Sequence, residues 1–281
     1  MEQQSIPVKK FHDGSVYPAV GFGTYQLKGS HGVQAIRSAI DAGYRLLDTA
    51  YNYENEATVG QAIKQHGIKR EELLITSKLP GRYQKYDDAI TTIQESLYRA
   101  GLDYYDLYLI HWPNPNQDNY VEAWQALQDA RKWGLIRSIG VCNFLPEHLD
   151  RLKAETGEFP VLNQIELHPY FNQEKQRQYH EENGIVTQSW SPLGRKTDLL
   201  QNPVLSDIAA KYGKSVSQIV LRWHYQLGSI AIPKSATPSR QQENIAIFNF
   251  ELNQAEMETI DGLTKADGRV ANQDPAVYEE F

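Results

Sequence analysis

A single cysteine, Cys142, is present among the 281 residues, so the chain can form no internal disulfide. No stretch approaches the roughly 18–20 uninterrupted apolar residues of a membrane span. The first five residues have neither the basic nor the apolar region of a secretory leader. A formal net charge of −7 argues against a general binder of nucleic acids or anionic membranes. We therefore predict a protein of the reducing cytoplasm whose partners are neither nucleic acids nor membranes.

The common nucleotide-binding motifs and metal-ligand spacings are also missing. There is no Gly-x-Gly-x-x-Gly after a first strand and no Walker loop, so a conventional dinucleotide fold is not encoded. The segment from Gly21 to Thr24 is a weak partial match and is more typical of a tight passage from strand to loop. The histidines show no His-x-x-x-His or Cys-His spacing, and we predict no metal site.

The sequence does contain a regular alternation of short apolar runs with helical patterns. This alternation is typical of βα units and a parallel sheet. Most of the runs are too continuous in apolar character for half-exposed antiparallel strands. The eight runs cover residues 19–24, 45–50, 73–78, 107–112, 138–144, 163–169, 186–192 and 231–235.

The helical segments between the runs end on glycine, as a left-handed helix C-cap favours. Two further helical patterns, 204–212 and 255–263, fall outside the eight units. At the start, residues 8–11 and 16–18 flank an Asp-Gly pair and predict a hairpin that could close the bottom of a barrel. We predict an α/β fold over residues 1–281: one (β/α)8 TIM-barrel domain with an N-terminal β-hairpin and two extra helices. The seven capping glycines are Gly43, Gly67, Gly101, Gly134, Gly157, Gly184 and Gly228.

Four polar residues at or just beyond the ends of the early runs can move or steer a proton: Asp48, Tyr53, Lys78 and His111. The C-terminal ends of parallel barrel strands share one rim, so these side chains should converge. Lys78 can stabilise the phenolate of Tyr53, while Asp48 would keep Lys78 charged and oriented. His111 supplies a second hydrogen-bond donor toward a substrate oxygen. Together they make Tyr53 a general acid that protonates a developing alkoxide, which is what carbonyl reduction requires.

The segments around these residues, 47–56, 76–79 and 109–113, resemble those of the aldo-keto reductase superfamily. The resemblance covers almost the whole chain and is closest to the bacterial 2,5-diketo-D-gluconate reductase branch. It implies a (β/α)8 barrel, a nicotinamide cofactor extended across the top, and the four residues as a catalytic tetrad. Steroid double-bond reductases are similar but carry Glu at the position of His111, so carbonyl reduction is favoured over C=C reduction.

The resemblance also implies a cofactor site. Trp190 resembles the aromatic residue that stacks on the nicotinamide ring, although a core tryptophan is the alternative. Asn143 and Gln164 resemble the ligands of its carboxamide group. Cys142 stands where many relatives have serine, so it is either a further contact or a small buried filler. The other residues assigned to this site are Gly23, Thr24, Asp48, Ser191, Leu193 and Gly194.

A phosphate site is predicted after the eighth run, which ends at Lys234 and Ser235, where Arg240 opens the next helix. A helix N-terminus beside cationic side chains favours phosphate, and Arg or Lys can pair with a 2′-phosphate, so we predict NADPH over NADH. Relatives often place another basic residue between Ser235 and Arg240, which this sequence lacks. Glu243 and Asn244 resemble adenine contacts, although either is also plausible as an exposed helical residue.

Tyr25, Asn52, Trp112, Phe144 and the last segment, residues 267–281, are predicted to line an aromatic and mostly apolar substrate pocket. We expect small-molecule carbonyl substrates: aldehydes, keto acids or esters and α-dicarbonyls, with diketo-gluconate implied by the resemblance. The alternative function is an NADPH-binding sensor or structural protein with weak catalysis. Alcohol oxidation by the same residues also stays open, and the resemblance favours a monomer.

Overall fold

The computed structural model describes residues 6–281, so the prediction about a leader, which concerns residues 1–5, lies outside the described residues. The predicted hairpin is confirmed: β1 (Val8–Lys10) pairs antiparallel with β2 (Val16–Pro18). Gly14 takes a φ of 88°, the left-handed conformation that the turn requires. Within residues 6–281 we find no helix with both the length and the apolar character needed to cross a membrane.

The hairpin lies at the N-terminal end of the barrel. Phe11 and Tyr17 stack with their ring centroids 4.5 Å apart and pack with Leu46 and Leu107 of the barrel interior. The hydroxyl of the buried Tyr17 donates to the carbonyl oxygen of Asp106 at 2.8 Å. Burying one such large side chain stabilises the fold by about 1.5–3 kcal/mol. The hairpin therefore closes the end of the barrel that is opposite the predicted rim.

Eight parallel strands, each hydrogen-bonded to the next in chain order, form the sheet. A parallel bridge joins Val20 to Ala231, and the Gly23 amide donates to the Pro233 carbonyl at 3.1 Å, so the first and last strands meet. A Cβ on Gly23 would come within 2.9 Å of the Ile232 carbonyl oxygen, which explains the glycine. The (β/α)8 fold is confirmed. Its strands are β3 (Phe22–Gly23), β4 (Leu46–Asp48), β5 (Leu74–Leu79), β6 (Tyr105–Ile110), β7 (Ile136–Cys142), β8 (Leu162–Glu166), β9 (Val186–Trp190) and β10 (Ile230–Ala231).

Helices alternate with these strands, and each of the seven predicted capping glycines has a positive φ, between 62° and 108°. Large apolar side chains such as Trp124 and Ile36 fill the space between helices and sheet. Within residues 6–281 the two predicted extra helices are α7 (Pro203–Tyr212) and α10 (Gln254–Asp261). The helices of the barrel units are α1 (Gly29–Asp41), α2 (Glu56–His66), α3 (Tyr86–Ala100), α4 (Tyr120–Lys132), α5 (Pro146–Thr156), α6 (Glu174–Glu182), α8 (Val216–Gln226) and α9 (Pro238–Ile245).

Candidate active site

A cavity of about 700 Å³ opens at the C-terminal ends of the strands, which is the rim that the sequence predicts for the site. Its wall is built from the loops that follow most of the strands and from the tail, which is residues 267–281. The structure therefore brings together residues that are far apart in the sequence. The predicted site residues on this wall are Gly23, Thr24, Tyr25, Asp48, Asn52, Tyr53, His111, Trp112, Asn143, Gln164, Trp190, Ser191, Leu193, Gly194 and Lys234.

Lys78 is fully buried at the end of β5 beneath the cavity. Its Nζ donates to Asp48 Oδ1 at 2.6 Å and to the Thr49 carbonyl at 2.7 Å. Gln164 Nε2 donates to the other oxygen of Asp48 at 2.8 Å, so this carboxylate is held from both sides. Burial alone would lower the pKa of Lys78, but Asp48 and Tyr53 outweigh it and raise that pKa above its usual value. Lys78 is therefore a fixed positive charge.

Tyr53 ends a single turn of 3-10 helix, Tyr51–Tyr53, that follows β4. Its hydroxyl oxygen lies 3.5 Å from Lys78 Nζ. Burial raises the pKa of Tyr53 to about 12, although the nearby Lys78 acts to lower it. Lys78 was expected to govern the acidity of this phenol, and the net shift has the opposite sign because desolvation of the phenolate dominates. Tyr53 therefore keeps its proton at neutral pH and is suited to act as an acid.

His111 follows β6, and its ring lies edge-on to Tyr53 with the centroids 5.9 Å apart. Its Nδ1 lies 2.7 Å from a carboxylate oxygen of Glu280 in the tail. Glu280 is only 7% exposed and is not among the predicted site residues. The one signal in the sequence was the tail itself, which was predicted to line the mouth of the pocket. The four proton-transfer residues thus converge, and the tail adds a carboxylate to them.

The two amide side chains assigned to the carboxamide lie on the cavity wall, and each has a hydrogen-bonding atom that is not used within the protein. Asn143 Nδ2 donates to the His111 carbonyl at 3.1 Å, and Trp190 Nε1 donates to Asn143 Oδ1 at 2.8 Å. Gln164 Nε2 has two acceptors, Asp48 and Gln188, whereas its Oε1 has no donor among residues 6–281. One hydrogen on Asn143 and one oxygen on Gln164 are therefore left for a ligand, a set that complements an amide group.

Two predicted contacts lie in the interior instead of on the wall. Phe144 is fully buried, with its ring edge-on to Tyr120 and His148, and this corrects its assignment to the substrate pocket. Cys142 is fully buried among barrel residues such as Leu162, where burial raises the pKa of its thiol. Of the two alternatives for Cys142, the structure favours the small buried filler.

Of the residues assigned to phosphate and adenine, Lys234 lies on the cavity wall, whereas Ser235 and the three residues of α9, Arg240, Glu243 and Asn244, lie beyond it. Lys234 and Arg240 are exposed and have no acidic partner within residues 6–281. The buried Ser235 hydroxyl accepts from the Thr237 amide at 3.1 Å. Glu243 accepts a hydrogen bond from the Ser215 hydroxyl, and Asn244 is 4% exposed, so the latter is not an exposed helical residue.

The remaining wall is more polar than predicted. Tyr25 packs edge-on against Tyr53 with the centroids 5.0 Å apart, and the guanidinium of Arg195 lies 4.8 Å above its ring. Trp112 packs against Tyr278 of the tail at 4.5 Å. Gln273 and Glu280 belong to the tail that was predicted to line the pocket as a segment. The polar wall residues outside every prediction come from loops without periodic patterns: Gln26, Arg195, Lys196, Thr197 and Gln201. Within residues 6–281, no group of three or more His, Cys, Asp or Glu side chains is arranged to hold a metal ion.

Comparisons with known proteins match both the sequence and the fold. The sequence model of the Aldo/keto reductase family matches residues 19–265. The chain is 49% identical over 277 residues to 2,5-diketo-D-gluconic acid reductase B of Corynebacterium sp., with 99% of each covered. It is 44% identical over 267 residues to methylglyoxal reductase DkgA of Salmonella typhimurium, covering 95% of this chain and 96% of that relative. It matches a crystal structure of a Gox0644 mutant in complex with NADPH with a TM-score of 0.93 and 39% identity, covering 98% and 100% of the two chains.

Proposed function

Because this chain belongs to the aldo/keto reductase family, we propose that it catalyses the NADPH-dependent reduction of aldehydes and ketones to alcohols. Family membership makes it an oxidoreductase that uses a nicotinamide cofactor. Two curated relatives that are similar over nearly their full lengths are reductases of carbonyl compounds. The residues of this chain support the finer features of the proposal, which are the proton donor, the preference for NADPH and the substrates.

The observation that carries the proposal is a protonated phenol beside a buried, fixed ammonium group at the wall of a cavity. Tyr53 reaches the cavity, while Lys78 and Asp48 lie behind it as an ion pair of 2.6 Å. An ion pair that is removed from water interacts more strongly with a developing charge than one at the surface. This arrangement suits a reaction in which negative charge develops on an oxygen next to Tyr53.

When bound, the nicotinamide ring supplies a hydride to the carbonyl carbon. Tyr53 donates its phenolic proton to the carbonyl oxygen, since a pKa of about 12 leaves the phenol protonated at neutral pH. Proton transfer turns Tyr53 into a phenolate, and Lys78, 3.5 Å away, stabilises that charge. Asp48 keeps Lys78 in place, and His111 faces the same cavity as a second group that can bind the oxygen.

The residues on the wall fit a nicotinamide dinucleotide. The free oxygen of Gln164 and the free hydrogen of Asn143 would hold the carboxamide. Trp190, fixed by its bond to Asn143, offers its ring for stacking on the nicotinamide. Lys234 on the cavity wall and Arg240 in the first turn of α9 would take the 2′-phosphate, which distinguishes NADPH from NADH.

We propose small aldehydes, α-dicarbonyls and keto acids or esters as substrates. The cavity of about 700 Å³ is of the size found for small-molecule sites. Tyr25 and Trp112 supply flat apolar faces on its wall, whereas Asn52 and Arg195 supply polar contacts. The names of the relatives, a 2,5-diketo-D-gluconic acid reductase and a methylglyoxal reductase, support dicarbonyl compounds as the first to be tested.

The test is NADPH oxidation with methylglyoxal and with an aromatic aldehyde, in the wild type and in Tyr53→Phe. We expect turnover in the wild type and a loss of about 100-fold or more in the variant, because Phe has no proton to give. The Kd for NADPH, measured by quenching of tryptophan fluorescence, should be the same in both proteins. A wild type that binds NADPH and reduces none of the carbonyl compounds would overturn the proposal.

A further inference from the structure

The loop that follows β9 carries a tight turn at the edge of the cavity. In this turn, residues 194–197, the Thr197 amide donates to the Gly194 carbonyl at 3.0 Å, and the Thr197 hydroxyl donates to the same oxygen at 2.6 Å. A Cβ on Gly194 would lie 2.7 Å from the Thr197 hydroxyl oxygen, so the turn has no room for a side chain there. Arg195 follows Gly194, and the turn therefore fixes where its side chain begins.

The side chain of Arg195 reaches the loop that follows β3. Its guanidinium carbon lies 4.8 Å from the ring centre of Tyr25, above the ring. The Tyr25 ring packs edge-on against Tyr53, with the centroids 5.0 Å apart. A guanidinium group is attracted by the negatively polarised face of an aromatic ring. These two contacts orient Arg195 and place it one aromatic ring away from the proposed proton donor.

The charge of Arg195 is not neutralised by the protein. The side chain is exposed, borders the cavity and has no acidic partner within residues 6–281. Of the described residues on the wall, only Asp48 and Glu280 are acidic; Asp48 is paired with Lys78, and Glu280 lies 2.7 Å from His111 Nδ1. The face of an aromatic ring offers no oxygen or nitrogen acceptor, so the N–H groups of the guanidinium are free for an anion.

Two kinds of anion can enter this cavity: a phosphate group of the cofactor and a carboxylate of the substrate. Lys234 and the first turn of α9, which contains Arg240, already offer positive groups for phosphate. Arg195 instead contacts the tyrosine that adjoins Tyr53, where the substrate oxygen is to be protonated. Its position therefore favours an anionic group on the substrate.

We propose that Arg195 is a specificity-determining residue that binds a substrate carboxylate separated from the reacting carbonyl group by a ring or a short chain. This inference rests on the proposed function and deepens it. Arg can hold a carboxylate through two parallel hydrogen bonds, which also fixes the orientation of the substrate. A carboxylate joined directly to the reacting carbonyl would lie beside Tyr53, too near to reach a guanidinium group beyond the contact with Tyr25.

The experiment compares the reduction of 4-carboxybenzaldehyde with that of its methyl ester, which has the same ring and aldehyde but no charge. We expect the ratio of kcat/KM for the acid to kcat/KM for the ester to fall about tenfold in Arg195→Gln, because a charge-assisted pair is lost. Arg195→Lys keeps the charge but not the two parallel bonds, and should retain part of the preference. Added salt should lower the ratio in the wild type and leave that of Arg195→Gln nearly unchanged.

Two control variants remove the same charge from other positions. Arg37→Gln, on the exposed face of α1, should leave the ratio unchanged. Lys196→Gln removes the neighbouring charge of the same turn and should lower the ratio less than twofold. Equal falls in Lys196→Gln and Arg195→Gln would overturn the proposal, because only the general positive potential of the loop would then matter.

The position of the carboxylate provides a further control. Phenylglyoxylate carries its carboxylate directly on the reacting carbonyl, so its kcat/KM relative to that of its methyl ester should not depend on Arg195. A tenfold fall of this ratio in Arg195→Gln would overturn the distance that the proposal assigns.

The Kd for NADPH distinguishes the two sources of the anion. We expect the same Kd in the wild type and in Arg195→Gln, whereas a rise of about tenfold would assign Arg195 to a cofactor phosphate and overturn the proposal. A wild type that reduces the ester, with a ratio that Arg195→Gln does not change, would overturn the proposal and leave the proposed function standing.

A binding measurement decides the proposal even without turnover. If the wild type reduces neither compound, the proposed function fails, and calorimetry then measures how 4-(hydroxymethyl)benzoate binds to the NADP+ complex. Weaker binding to Arg195→Gln than to the wild type and Arg37→Gln would support the carboxylate site. Equal binding to all three proteins would overturn it.

Discussion

Arg240 and Lys234 are exposed cations without an acidic partner within residues 6–281, although the net charge of the chain is −7. Arg240 lies in the first turn of α9, where the free backbone amides of a helix also favour an anion, and Lys234 precedes that helix in the chain. In an acidic protein, such unpaired cations are available for a phosphate group. We propose that they hold the 2′-phosphate and that the basic residue expected between them in relatives is not required.

Arg240→Ala tests this preference. A hydrogen bond to a charged group contributes about 1.5–3 kcal/mol, so we expect the KM for NADPH to rise about tenfold or more. The KM for NADH should stay nearly the same, because NADH has no 2′-phosphate. Arg37→Ala, on the exposed face of α1, is the control and should change neither value. Equal changes for the two cofactors would contradict the assignment.

At the residue scale, the sequence indicated the groups that sit at strand ends but not the groups that loops deliver. Asp48, Lys78 and His111 could be predicted to converge because parallel strands bring their C-terminal ends to one rim. Glu280 could not, since its place depends on how fifteen aperiodic residues cross the barrel mouth. Phe144 follows a strand as His111 does, but its side chain turns toward Tyr120 in the interior, and no pattern in the sequence distinguishes the two directions.

Among the elements, α2 and α3 approach each other unusually closely. Gly60, within α2, has no side chain, and a Cβ there would lie 1.8 Å from the carbonyl oxygen of Ala100. Gly67, which ends the same helix at a φ of 80°, has open space around it. The two glycines of one helix are thus needed for different reasons: one for helix packing and the other for backbone conformation.

We expect Gly60→Ala to be the more damaging substitution. Alanine normally stabilises a helix interior relative to glycine by about 1 kcal/mol. Here the clash with Ala100 should outweigh that stabilisation, so that the substitution lowers the free energy of unfolding by about 1–3 kcal/mol or more. Gly67→Ala should cost about 1 kcal/mol through its positive φ alone. Urea unfolding of both variants provides the comparison, and a Gly60→Ala protein as stable as the wild type would show that the helices can separate at little cost.

The element boundaries show what apolar runs do and do not reveal. The run 186–192 continues past β9, which ends at Trp190, because the next residue, Ser191, leaves the extended conformation with a φ of 49°. The run 231–235 predicts a longer last strand than Ile230–Ala231, and Pro233 within it has no amide hydrogen for a ladder. The alternation of short runs with helical patterns identified all eight strands, whereas backbone conformation and hydrogen bonding decide where each one stops.

For the whole molecule, buried histidines tie stability to pH. Burial lowers the pKa of His180 and of His224 to about 3, against 6.5 in an unfolded chain. His180 Nε2 lies within hydrogen-bond distance of the amide nitrogens of Asn163 and Gln176, a role that suits the neutral ring. Because the folded-state pKa is lowered, the stability is present above about 6.5 and is lost as the pH falls toward 3. The raised pKa values of Glu56 and Asp261 act in the opposite direction.

We therefore expect the free energy of unfolding to fall between pH 7 and pH 5, by about 1–2 kcal/mol each for His180 and His224. His180→Gln keeps an acceptor for Asn163 and Gln176. Between pH 7 and pH 5 the free energy of unfolding of this variant should fall by less than that of the wild type, and the difference is the contribution of His180. His31→Gln, at an exposed position, should retain the full dependence. Urea titrations at the two pH values give the differences, and equal dependences in His180→Gln and the wild type would contradict this account.

That residues 1–281 form one domain stays a prediction.

Because the strand after the hairpin meets the last strand, the barrel closes only late in synthesis on the ribosome. The strand that follows the hairpin finds its second neighbour only when Ala231 has emerged. At about 5–20 residues per second, the growing chain carries an open sheet for roughly 10–40 s. During that time both outer strands have unpaired backbone groups, which can pair with other chains. The nascent protein should therefore depend on chaperones most strongly just before its last strand is made.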